Sequence, residues 1–351
     1  MAQTDLVLKQ LADQAGACDQ LGSPFTARLC RLLAKYLDKR TRFGTRILEW
    51  DGDPAADNVA LRACGAIHAL ARSGWEPNVT AVYPPTSVPD STLWAAIADA
   101  LHHNDAFLTD RLSSAPQTNE VARSALILGA MLHLAAATKL PLDLFEIGAS
   151  AGLNLGFDRY RYTLDEGRVW GPLDAPLAID CPWRGSPPPL DAPLSVVGRQ
   201  GCDLNPLDSN SPEDRARLLS YIWADQTHRL QRIDAALKLA AADRRPIDRA
   251  DAADWLEQKF ATPLQAGRTR VLIHTIVWPY VPARSKARIE AVLAEIGARA
   301  TADRPVARLS IEPDETPGSA RIDLTIWPAG RTITLGRGDY HGRWAEWAKL
   351  K

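Results

Sequence analysis

Residues 142–155 read LDLFEIGASAGLNL, and the fold can be inferred outward from this stretch. The apolar run from Leu142 to Ile147 is typical of a central parallel strand that is covered on both faces. The small residues from Gly148 to Gly152 then predict a turn with little side-chain bulk, followed by a helix. Such a turn lets a ligand approach the backbone at the carboxyl end of a strand, where open α/β sheets bind their ligands.

The chain on either side of this stretch divides into a helical part and an alternating part. Up to about residue 139 the apolar residues recur at helical spacing. From residue 142 to about 310 strands alternate with helices, and a hairpin is predicted around residues 321–335. We therefore predict an α/β fold with an α-helical region over 1–139 and a mostly parallel sheet domain over 140–351, which carries a proline-rich loop insertion at about 165–195.

The charge and hydropathy patterns limit the expected partners. The 351 residues carry a net charge of −1, and neither the first 140 residues nor the remainder is basic. A nucleic-acid backbone needs a basic surface, so nucleic acid is not expected as a partner. The longest apolar stretch, Ala125 to Ala137, is interrupted by His133 and is too short to span a bilayer, so no membrane association is expected.

The cysteines and the first residues of the chain indicate a compartment. Five scattered cysteines without a Cys-x-x-Cys pair fit a reducing environment and indicate neither a disulfide framework nor a zinc site. The opening residues do not have the pattern of a secretory signal. We expect a cytoplasmic protein without a metal site, and the sequence does not indicate its oligomeric state.

Three acidic residues lie near the ends of successive predicted strands: Glu146, Asp203 and Asp251. Because the carboxyl ends of parallel strands meet at one edge of a sheet, these carboxylates can converge on one crevice. A carboxylate after the second strand can accept hydrogen bonds from a ribose diol. Other interpretations stay open, since Gly148 and Gly152 can serve only a tight turn, and Asp203 and Asp251 can cap the segments that follow them.

The spacing within the turn bears on the choice of cofactor. A dinucleotide site requires Gly-x-Gly-x-x-Gly with an acid about 20 residues later. The pattern here is Glu-x-Gly-x-Ser-x-Gly, and Asp203 follows much further downstream because of the insertion. An acid before the turn suits a ligand without a pyrophosphate there. S-adenosylmethionine, whose ammonium and sulfonium groups are cationic, fits this pattern.

Three motifs resemble those of class I S-adenosylmethionine-dependent methyltransferases. Residues 146–152 are similar to their first motif, residues 201–206 (GCDLNP) to their second and residues 250–252 to their third. The resemblance covers about 142–340 and includes the final hairpin. It implies a Rossmann-like sheet of methyltransferase type, with S-adenosyl-L-methionine as the cofactor. Ser150 stands where those enzymes usually have glycine.

The same resemblance implies roles for the residues of these motifs. Glu146 and Gly148 would lie near the methionine part of the cofactor, and Asp203 would lie at the ribose. Asp251 and Ala252 would lie at the adenine. The turn residues implied to contact the cofactor also include Ala149, Ser150 and Gly152.

The whole chain also resembles an uncharacterised bacterial family, the domain-of-unknown-function family two-three-three-two. The stretches that carry this resemblance are 117–120 (QTNE), 146–155, 203–206 (DLNP) and the closing motif His341-Gly342-x-Trp344. The family brings no activity that can be transferred to this chain.

Candidate catalytic residues follow from the expected chemistry. Methyl transfer needs alignment, and it needs a base only if the acceptor must lose a proton. Acceptor contacts are expected after the fourth strand, where Trp278 and Tyr280 would shape the wall of the site. His341, in a loop beside a glycine, is the preferred titratable group. His274 is a second candidate base, although its apolar neighbours favour a buried, hydrogen-bonded core histidine.

Two polar clusters are candidates for binding the substrate. One consists of Asn119, Glu120 and Arg123, and the other of Asp158 and Arg159. The alternative for the first cluster is an ordinary helix start with a local ion pair between Glu120 and Arg123, and the second is equally open. The predicted function is methyl transfer to an unidentified acceptor, expected to be a small molecule. The alternative is a non-catalytic, nucleotide- or cofactor-binding regulatory protein on the same fold.

Overall fold

A computed structural model describes residues 2–165, 167–243 and 245–349 of the chain. Contacts divide the chain into two compact units. The helical unit extends to Thr118 and also includes Pro212–Gln231. The sheet unit consists of Asn119–Ser211 and the described residues from Arg232 onward. The first division therefore falls at 118/119, whereas the sequence predicted a boundary at 139/140.

The α-helices follow much of the predicted helical spacing. They are α1 (Gln3–Gln20), α2 (Pro24–Tyr36), α3 (Arg42–Leu48), α4 (Val59–Ser73), α5 (Pro77–Val82), α6 (Asp90–His103), α7 (Asp105–Arg111), α8 (Ser124–Thr138), α9 (Pro212–Ser220), α10 (Thr227–Asp243), α11 (Ala252–Phe260) and α12 (Ala283–Ala298). Short 3-10 helices occupy Val121–Arg123, Asn154–Arg159 and Trp278–Tyr280.

The helical unit has a core built from the apolar residues at helical spacing. Leu29 and Leu33 of α2, Ile67 of α4 and Ile97 of α6 are all buried in it. Pro24 begins α2, because its fixed φ suits the first turn of a helix. The prediction of a helical N-terminal region is confirmed.

The strands form one large sheet and one small sheet. They are β1 (Leu142–Ile147), β2 (Arg161–Thr163), β3 (Val169–Trp170), β4 (Ala178–Asp180), β5 (Trp183–Gly185), β6 (Val196–Asp203), β7 (Ile247–Arg249), β8 (Thr269–Thr275), β9 (Val306–Pro313), β10 (Ala320–Trp327), β11 (Arg331–Gly338) and β12 (Ala345–Trp347). The large sheet has the order β5-β12-β11-β10-β9-β8-β1-β6-β7, and the small sheet has the order β3-β2-β4.

Strand β1 lies within a run of parallel strands. It pairs with β6 on one side and with β8 on the other, and β7 and β9 extend the run in parallel. In chain order these strands have the spatial order 3-2-1-4-5, so the winding reverses between β1 and β8. Open α/β sheets bind ligands outside the carboxyl ends of the strands at such a reversal. The predicted mostly parallel sheet is confirmed, and β10 and β11 form the predicted antiparallel hairpin.

The two faces of the sheet differ in what covers them. Phe145 and Ile147 of β1 share a core with Trp255 of α11 and Ile289 of α12, and we call this side the α12 face. Neighbouring side chains of a strand point to opposite faces, so Glu146 points to the other side. Helix α8 packs against β9 and β10, and we call the side of Glu146 the α8 face.

Helix α8 lies within the predicted helical region 1–139 but outside the helical unit. It begins at Ser124, after a 3-10 turn, and belongs to the sheet unit rather than to the N-terminal region. Its residues are apolar around most of its circumference, so it needs cover on several sides, which packing against the sheet supplies. The stretch Val121–Thr138 is long and apolar enough to cross a membrane, but 78% of it is buried inside the fold. A buried core helix passes the same test, so the stretch is only weak support for a membrane span.

The proline-rich insertion at 165–195 is more structured than predicted. It carries β3, β4 and β5, and β5 extends the large sheet by pairing with β12. Strands of two or three residues are too short for an alternating pattern to be recognised in the sequence. This is why the insertion was predicted as a loop.

Candidate functional site

The turn after β1 contains several residues with left-handed backbone conformations. The φ angles of Gly148, Ser150 and Gly152 are 68°, 55° and 67°. Glycine adopts this conformation without strain, whereas at Ser150 it costs about 1–3 kcal/mol. A side chain at Gly148 would collide with Val277, and one at Gly152 would collide with Ile247. The predicted small-residue turn is present, and its backbone strain lies at Ser150.

The backbone of this turn is held by side chains of the protein itself. The amide of Ser150 donates to Oδ2 of Asp203 at 3.0 Å, and the amide of Leu153 donates to Oδ1 of Asn119 at 2.9 Å. Asp203 also accepts from the amide of Asn205 at 2.8 Å. Asp203 and Asn119 therefore fasten the turn to the end of β6 and to the segment before α8.

Arg245 also holds the turn and was not identified from the sequence. Its guanidinium donates to the carbonyls of Gly152 at 3.1 Å and Leu153 at 3.4 Å, and forms an ion pair with Asp243 at 2.7 Å. The hydroxyl of Tyr160 donates to the carbonyl of Leu153 at 2.6 Å. No motif marks Arg245, because its role depends on a carbonyl 93 positions earlier in the chain.

A pocket opens beside the turn, at the carboxyl ends of β1, β6 and β8. Its volume is about 110 Å³, which is below the range of about 300–1,000 Å³ that is usual for small-molecule sites. Leu204 and Tyr280 are 67% and 79% exposed at its rim. The described residues that line it include two carboxylates and no basic side chain. They are Gly148, Cys202, Asp203, Leu204, Ala250, Asp251, Ala252, Val277, Tyr280, Val281 and Pro282.

Asp251 lines the pocket and also caps α11. Its Oδ1 accepts from the amides of Ala253 at 2.8 Å and Asp254 at 3.2 Å. Among the residues that the structure describes, its Oδ2 accepts only a long hydrogen bond, of 3.4 Å, from the hydroxyl of Ser285. Ala252, the first residue of α11, lies beside it in the lining. The capping role, which was the alternative interpretation, uses Oδ1 and leaves most of the capacity of Oδ2 for a ligand.

The turn after β8 forms another wall of the pocket. Ile276 has a φ angle of 53°, which is strained for a β-branched residue. Both carboxylate oxygens of Glu312 accept from the amide of Val277, at 3.3 and 3.2 Å. Strained residues other than glycine thus occur in the turns after both β1 and β8. Backbone strain of this kind is concentrated at functional sites.

His274 is buried on the α12 face, and both of its ring nitrogens are in hydrogen bonds. Nε of Arg308 donates to Nε2 at 3.0 Å, so the proton is assigned to Nδ1, which donates to Oε1 of Glu312 at 2.7 Å. Burial lowers the pKa of His274, against the opposite influence of Glu312, and this favours the neutral ring. The geometry favours the core-histidine interpretation over a catalytic base.

Trp278 and Tyr280 lie in the 3-10 helix that follows this turn. The ring of Trp278 stacks on His274 with 4.9 Å between centroids, and the guanidinium of Arg308 lies 4.7 Å from its centre. Trp278 therefore packs against the network below the turn and is not among the lining residues of the pocket. Of the two predicted wall residues, the structure brings Tyr280 to the pocket.

Arg123 connects the segment before α8 to the end of β8. Its Nη1 donates to the carbonyl and the hydroxyl of Thr275, at 3.1 and 3.0 Å. Its Nε donates to the carbonyl of Tyr340 at 3.1 Å. The contact with Thr275, whose side chain points away from the α12 face, places Arg123 on the α8 face.

Glu120 has a structural role in the same segment. It is 1% exposed and caps the 3-10 turn by accepting from the amide of Ala122 at 3.2 Å. It also forms an ion pair with Arg232, at 3.5 Å. Glu120 thus begins a short helical turn just before α8, which agrees with the helix-start interpretation.

His341 lies half-buried in the loop after β11. Its amide donates to Oδ1 of Asp339 at 2.9 Å, and the guanidinium of Arg343 donates to both oxygens of that carboxylate, at 2.9 and 2.7 Å. A side chain at Gly342 would collide with the backbone of Ala122. Three of the stretches noted in the sequence are therefore neighbours in the sheet unit: 119–123, 146–155 and 341–344.

Asp158 and Arg159 do not reach the lining of the pocket. Asp158 forms an ion pair with Arg199 at 2.5 Å, and Arg159 forms one with Asp243 at 2.8 Å. Arg199 lies in the middle of β6, opposite Leu144, rather than at the carboxyl end of the strand. These contacts hold the 3-10 helix to β6 and to the end of α10, so the structure assigns no substrate contact to either residue.

Glu146, the acid before the turn, is buried on the α8 face. It is 2% exposed, and its Oε2 has no hydrogen-bond partner among the described residues. Burial raises the pKa of Glu146 to about 8, although the guanidiniums of Arg123 and Arg245 act in the opposite direction. The carboxylate of Asp203 adds to the rise. The Glu146 carboxyl is therefore largely protonated at neutral pH.

Two further polar side chains near Glu146 in the sequence are buried without partners. The hydroxyl of Ser150 and both amide atoms of Asn154 make no hydrogen bond with the described residues, and the two residues are 3% and 1% exposed. Buried polar groups in proteins are hydrogen-bonded in roughly 90% of cases. Four such atoms within residues 146–154 therefore distinguish this segment from an ordinary core.

The cysteines and acidic residues form no obvious metal centre. Within residues 2–165, 167–243 and 245–349, no group of three or more His, Cys, Asp or Glu side chains is arranged to hold a metal ion. The cysteines Cys18, Cys30, Cys64, Cys181 and Cys202 are buried thiols.

Comparison with known proteins identifies a family for the chain. A family model described as "Uncharacterized protein conserved in bacteria (DUF2332)" matches residues 9–347. No curated protein and no solved structure matches the chain. The resemblance to this family that the sequence motifs carried is confirmed.

Proposed function

We propose that this chain, which belongs to that bacterial family, is a cytoplasmic S-adenosylmethionine-dependent methyltransferase that acts on a small-molecule acceptor. The observation that carries the proposal is the pocket at the reversal between β1 and β8. The described residues that line it include the carboxylates of Asp203 and Asp251 and no basic side chain. A nucleotide with phosphates would need N–H donors or cations at the turn. An adenosyl sulfonium carries no phosphate.

The contacts of the turn also favour an adenosyl sulfonium over a nucleotide with phosphates. The amides of Ser150 and Leu153 already donate to Asp203 and Asn119, so neither is available to a pyrophosphate. The 3-2-1-4-5 order of the parallel strands supports a Rossmann-like domain of methyltransferase type.

The donor and acceptor groups of the pocket fit an adenosyl ligand. A carboxylate at the end of the second strand can accept hydrogen bonds from a ribose diol, and this is the role proposed for Asp203. Oδ2 of Asp251 can accept from an adenine amine, and Leu204 and Val281 offer apolar surface to a flat base. The bound cofactor would supply an electrophilic methyl group, and the chain would align the acceptor with it.

The candidate catalytic residues are not equally suited to this function. His274 is not proposed as a base, since both of its ring nitrogens are already in hydrogen bonds. Tyr280 is proposed to shape the entrance for the acceptor, because it is exposed at the rim. His341 stays a candidate for contact with the acceptor, near the segment that carries Arg123.

The test is thermal and urea unfolding with S-adenosylmethionine, S-adenosylhomocysteine and NAD. At about 100 times its dissociation constant a ligand should raise the free energy of unfolding by about 2.7 kcal/mol. We expect this shift with the two sulfur compounds and not with NAD. Asp203→Asn should weaken the shift, whereas Asp143→Asn, at the amino end of β1, should leave it unchanged. No shift with either sulfur compound would overturn the proposal.

A non-catalytic cofactor-binding regulatory protein is the second candidate. It is favoured by the pocket lining, in which the described residues include no histidine or lysine that could act as a base near neutral pH. Cofactor binding without methyl transfer to any member of a panel of amines, alcohols, thiols and carboxylates would favour this candidate.

A further inference from the structure

We infer that the sheet unit has a second binding site, on the α8 face, where Glu146, Ser150 and Asn154 bind the primary ammonium group of an amine ligand. The assignment of this amine as the methyl acceptor rests on the proposed function. The binding site itself does not, because it is built from different side chains than the pocket beside Asp203 and Asp251.

The location of Glu146 separates this site from the pocket. The pocket is lined by residues at the starts of α11 and α12, including Ala252 and Pro282, which cover the α12 face. Glu146 points to the opposite face of β1, where Arg123 and Arg245 act on its carboxyl. The turn after β1 thus lies between two regions, one lined by the pocket residues and one by Glu146.

Arg245 links the segment that carries the other two side chains to Glu146. Its guanidinium acts on the Glu146 carboxyl and also donates to the carbonyls of Gly152 and Leu153, the residues just before Asn154. The turn is tight, because the amide of Gly152 donates to the carbonyl of Ala149 at 2.7 Å. Ser150 and Asn154 therefore belong to the same compact segment as the buried carboxyl.

The unpartnered atoms match an ammonium group in number and kind. Oε2 of Glu146, Oγ of Ser150 and Oδ1 of Asn154 are buried oxygens without a hydrogen-bond partner among the described residues. A primary ammonium has three N–H donors and a positive charge. The three oxygens can accept one hydrogen bond each, and the charge can pair with Glu146 as a carboxylate. Nδ2 of Asn154 is then left to donate to a second polar atom of the ligand.

The arginines near Glu146 do not complete its ion pair. Arg245 donates to two backbone carbonyls and to Asp243, and Arg123 donates to Thr275 and Tyr340. A buried carboxylate is favourable only when it is paired. Without a ligand Glu146 therefore keeps its proton, and the cation that would pair with its carboxylate has to come from a ligand.

The strain at Ser150 supports a role for its hydroxyl. A glycine at this position would adopt the φ angle of 55° without cost. The amide of Ser150, which donates to Asp203, would also be present in glycine. Only the hydroxyl distinguishes serine from glycine here, and it is among the unpartnered atoms.

The experiment uses propylammonium as the probe and tetramethylammonium, which has no N–H donor, as its control. Because burial keeps the proton on Glu146 up to a pH of about 8, binding of propylammonium at neutral pH should displace that proton. Calorimetric titrations in buffers with different ionisation enthalpies should therefore measure the release of a proton. Tetramethylammonium should show neither binding at this site nor proton release.

Four variants of the full chain separate binding from folding. Glu146→Gln should abolish proton release, and Ser150→Gly and Asn154→Leu should each weaken propylammonium binding by about tenfold or more. The matched control is Thr269→Val, which removes another buried, unpartnered hydroxyl, at the amino end of β8. It should leave propylammonium binding unchanged.

Three results would overturn the inference. These are no binding of propylammonium, binding without proton release, and equal affinity in the Glu146→Gln variant. A competition experiment identifies the source of the ammonium group. Its competitors are S-adenosylmethionine and methylthioadenosine, which is an adenosyl compound without the amino acid end. Propylammonium binding that persists in the presence of S-adenosylmethionine supports a site for a second ligand. Competition by S-adenosylmethionine but not by methylthioadenosine would overturn that claim, since the ammonium would then be the cofactor's own. Failure of the adenosyl compounds to bind would affect only the proposed function.

Discussion

Glu146 and His274 are both buried and titratable, yet their surroundings differ. In the parallel register Glu146 is paired with Ile273 and Ile147 with His274, so the two side chains lie on opposite faces of the sheet. His274 has a partner for each ring nitrogen, in Arg308 and Glu312. Glu146 has an oxygen without any partner among the described residues. Burial alone therefore does not separate these two kinds of titratable group, whereas hydrogen-bond satisfaction does.

The network around His274 is a positioning device on the α12 face. Glu312 accepts from His274 and from the amide of Val277, so the network holds a residue of the pocket wall. A fully satisfied buried network makes a structure rigid, and a partly satisfied one is costly unless something completes it. The α12 face fits the first description, and the α8 face around Glu146 fits the second.

The largest predicted effect concerns the pH dependence of stability through Glu146. Burial raises the pKa of Glu146 to about 8 from an ordinary value of 4.5. Between these values the unfolded chain loses a proton that the folded chain keeps. The free energy of unfolding should therefore fall as the pH rises, by at most about 1.4 kcal/mol per pH unit, and level off above about pH 8.

Glu146→Gln cannot titrate and isolates this contribution. Urea unfolding from about pH 5 to 8 should show the variant gaining up to about 4 kcal/mol on the wild type across the range. Parallel pH profiles for the two proteins would mean that Glu146 is paired in solution and is no different from His274 in this respect.

The second prediction concerns a variant that breaks the hydrogen-bond network around His274. Glu312→Leu removes the acceptor of His274 and of the Val277 amide, and leaves two donors buried. We expect a loss of about 3 kcal/mol in the free energy of unfolding at neutral pH. Glu312→Gln, which keeps one acceptor oxygen, should lose less.

Glu315→Leu is the matched control for this change, because Glu315 is an exposed glutamate three positions away. It should change the free energy of unfolding by no more than about 0.5 kcal/mol. A similar loss in both variants would argue that the network contributes little.

Long periodic segments made much of the fold predictable. The apolar runs of β1 and β8 and the hairpin of β10 and β11 are long enough for their patterns to be recognised. Strand β5, with three residues, is not, and it pairs with β12, which lies far away in the chain. The boundary between the two units was predicted at 139/140, and not at 118/119, because apolar spacing continues through the 3-10 turn Val121–Arg123 and through α8.

The candidate site was predictable only where it follows from topology. Asp203 and Asp251 could be placed at one pocket because the carboxyl ends of parallel strands meet at one edge. Asp158 is not among the lining residues of that pocket, and its ion pair with Arg199 of β6 could not be recognised from the sequence. Arg245 and Glu312 could not be found, since each acts through contacts between residues that are distant in the chain.

The third prediction concerns how His274 affects the free energy of unfolding at acidic pH. Burial lowers the pKa of His274, while Glu312 raises it and Arg308 lowers it further, and Glu290 adds a smaller rise. A group with a depressed folded pKa contributes stability that is lost as the pH falls below its unfolded value, about 6.5 for histidine. The free energy of unfolding should therefore decrease below about pH 6.5, by at most about 1.4 kcal/mol per pH unit.

His274→Gln should lose this acid dependence, so the measurement is the difference between its pH profile and that of the wild type. His68 of the helical unit, whose pKa is lowered to about 4 by burial, contributes a slope of the same sign to both proteins and cancels in the difference. An unchanged profile in the variant would contradict the neutral, doubly hydrogen-bonded state of His274.

The smallest effect is predicted for Ser150→Gly, and its sign separates the two interpretations of the turn. Glycine relieves the strain of the 55° φ angle and removes an unpartnered buried hydroxyl. Its greater freedom in the unfolded chain offsets part of this gain. We expect a net gain of about 1 kcal/mol in the free energy of unfolding, together with weaker propylammonium binding. If Ser150 were only a tolerated small residue, stability would rise and ligand binding would stay the same. If its hydroxyl had a structural partner, stability would fall, and Glu146 and its neighbours would have to be regarded as a satisfied core.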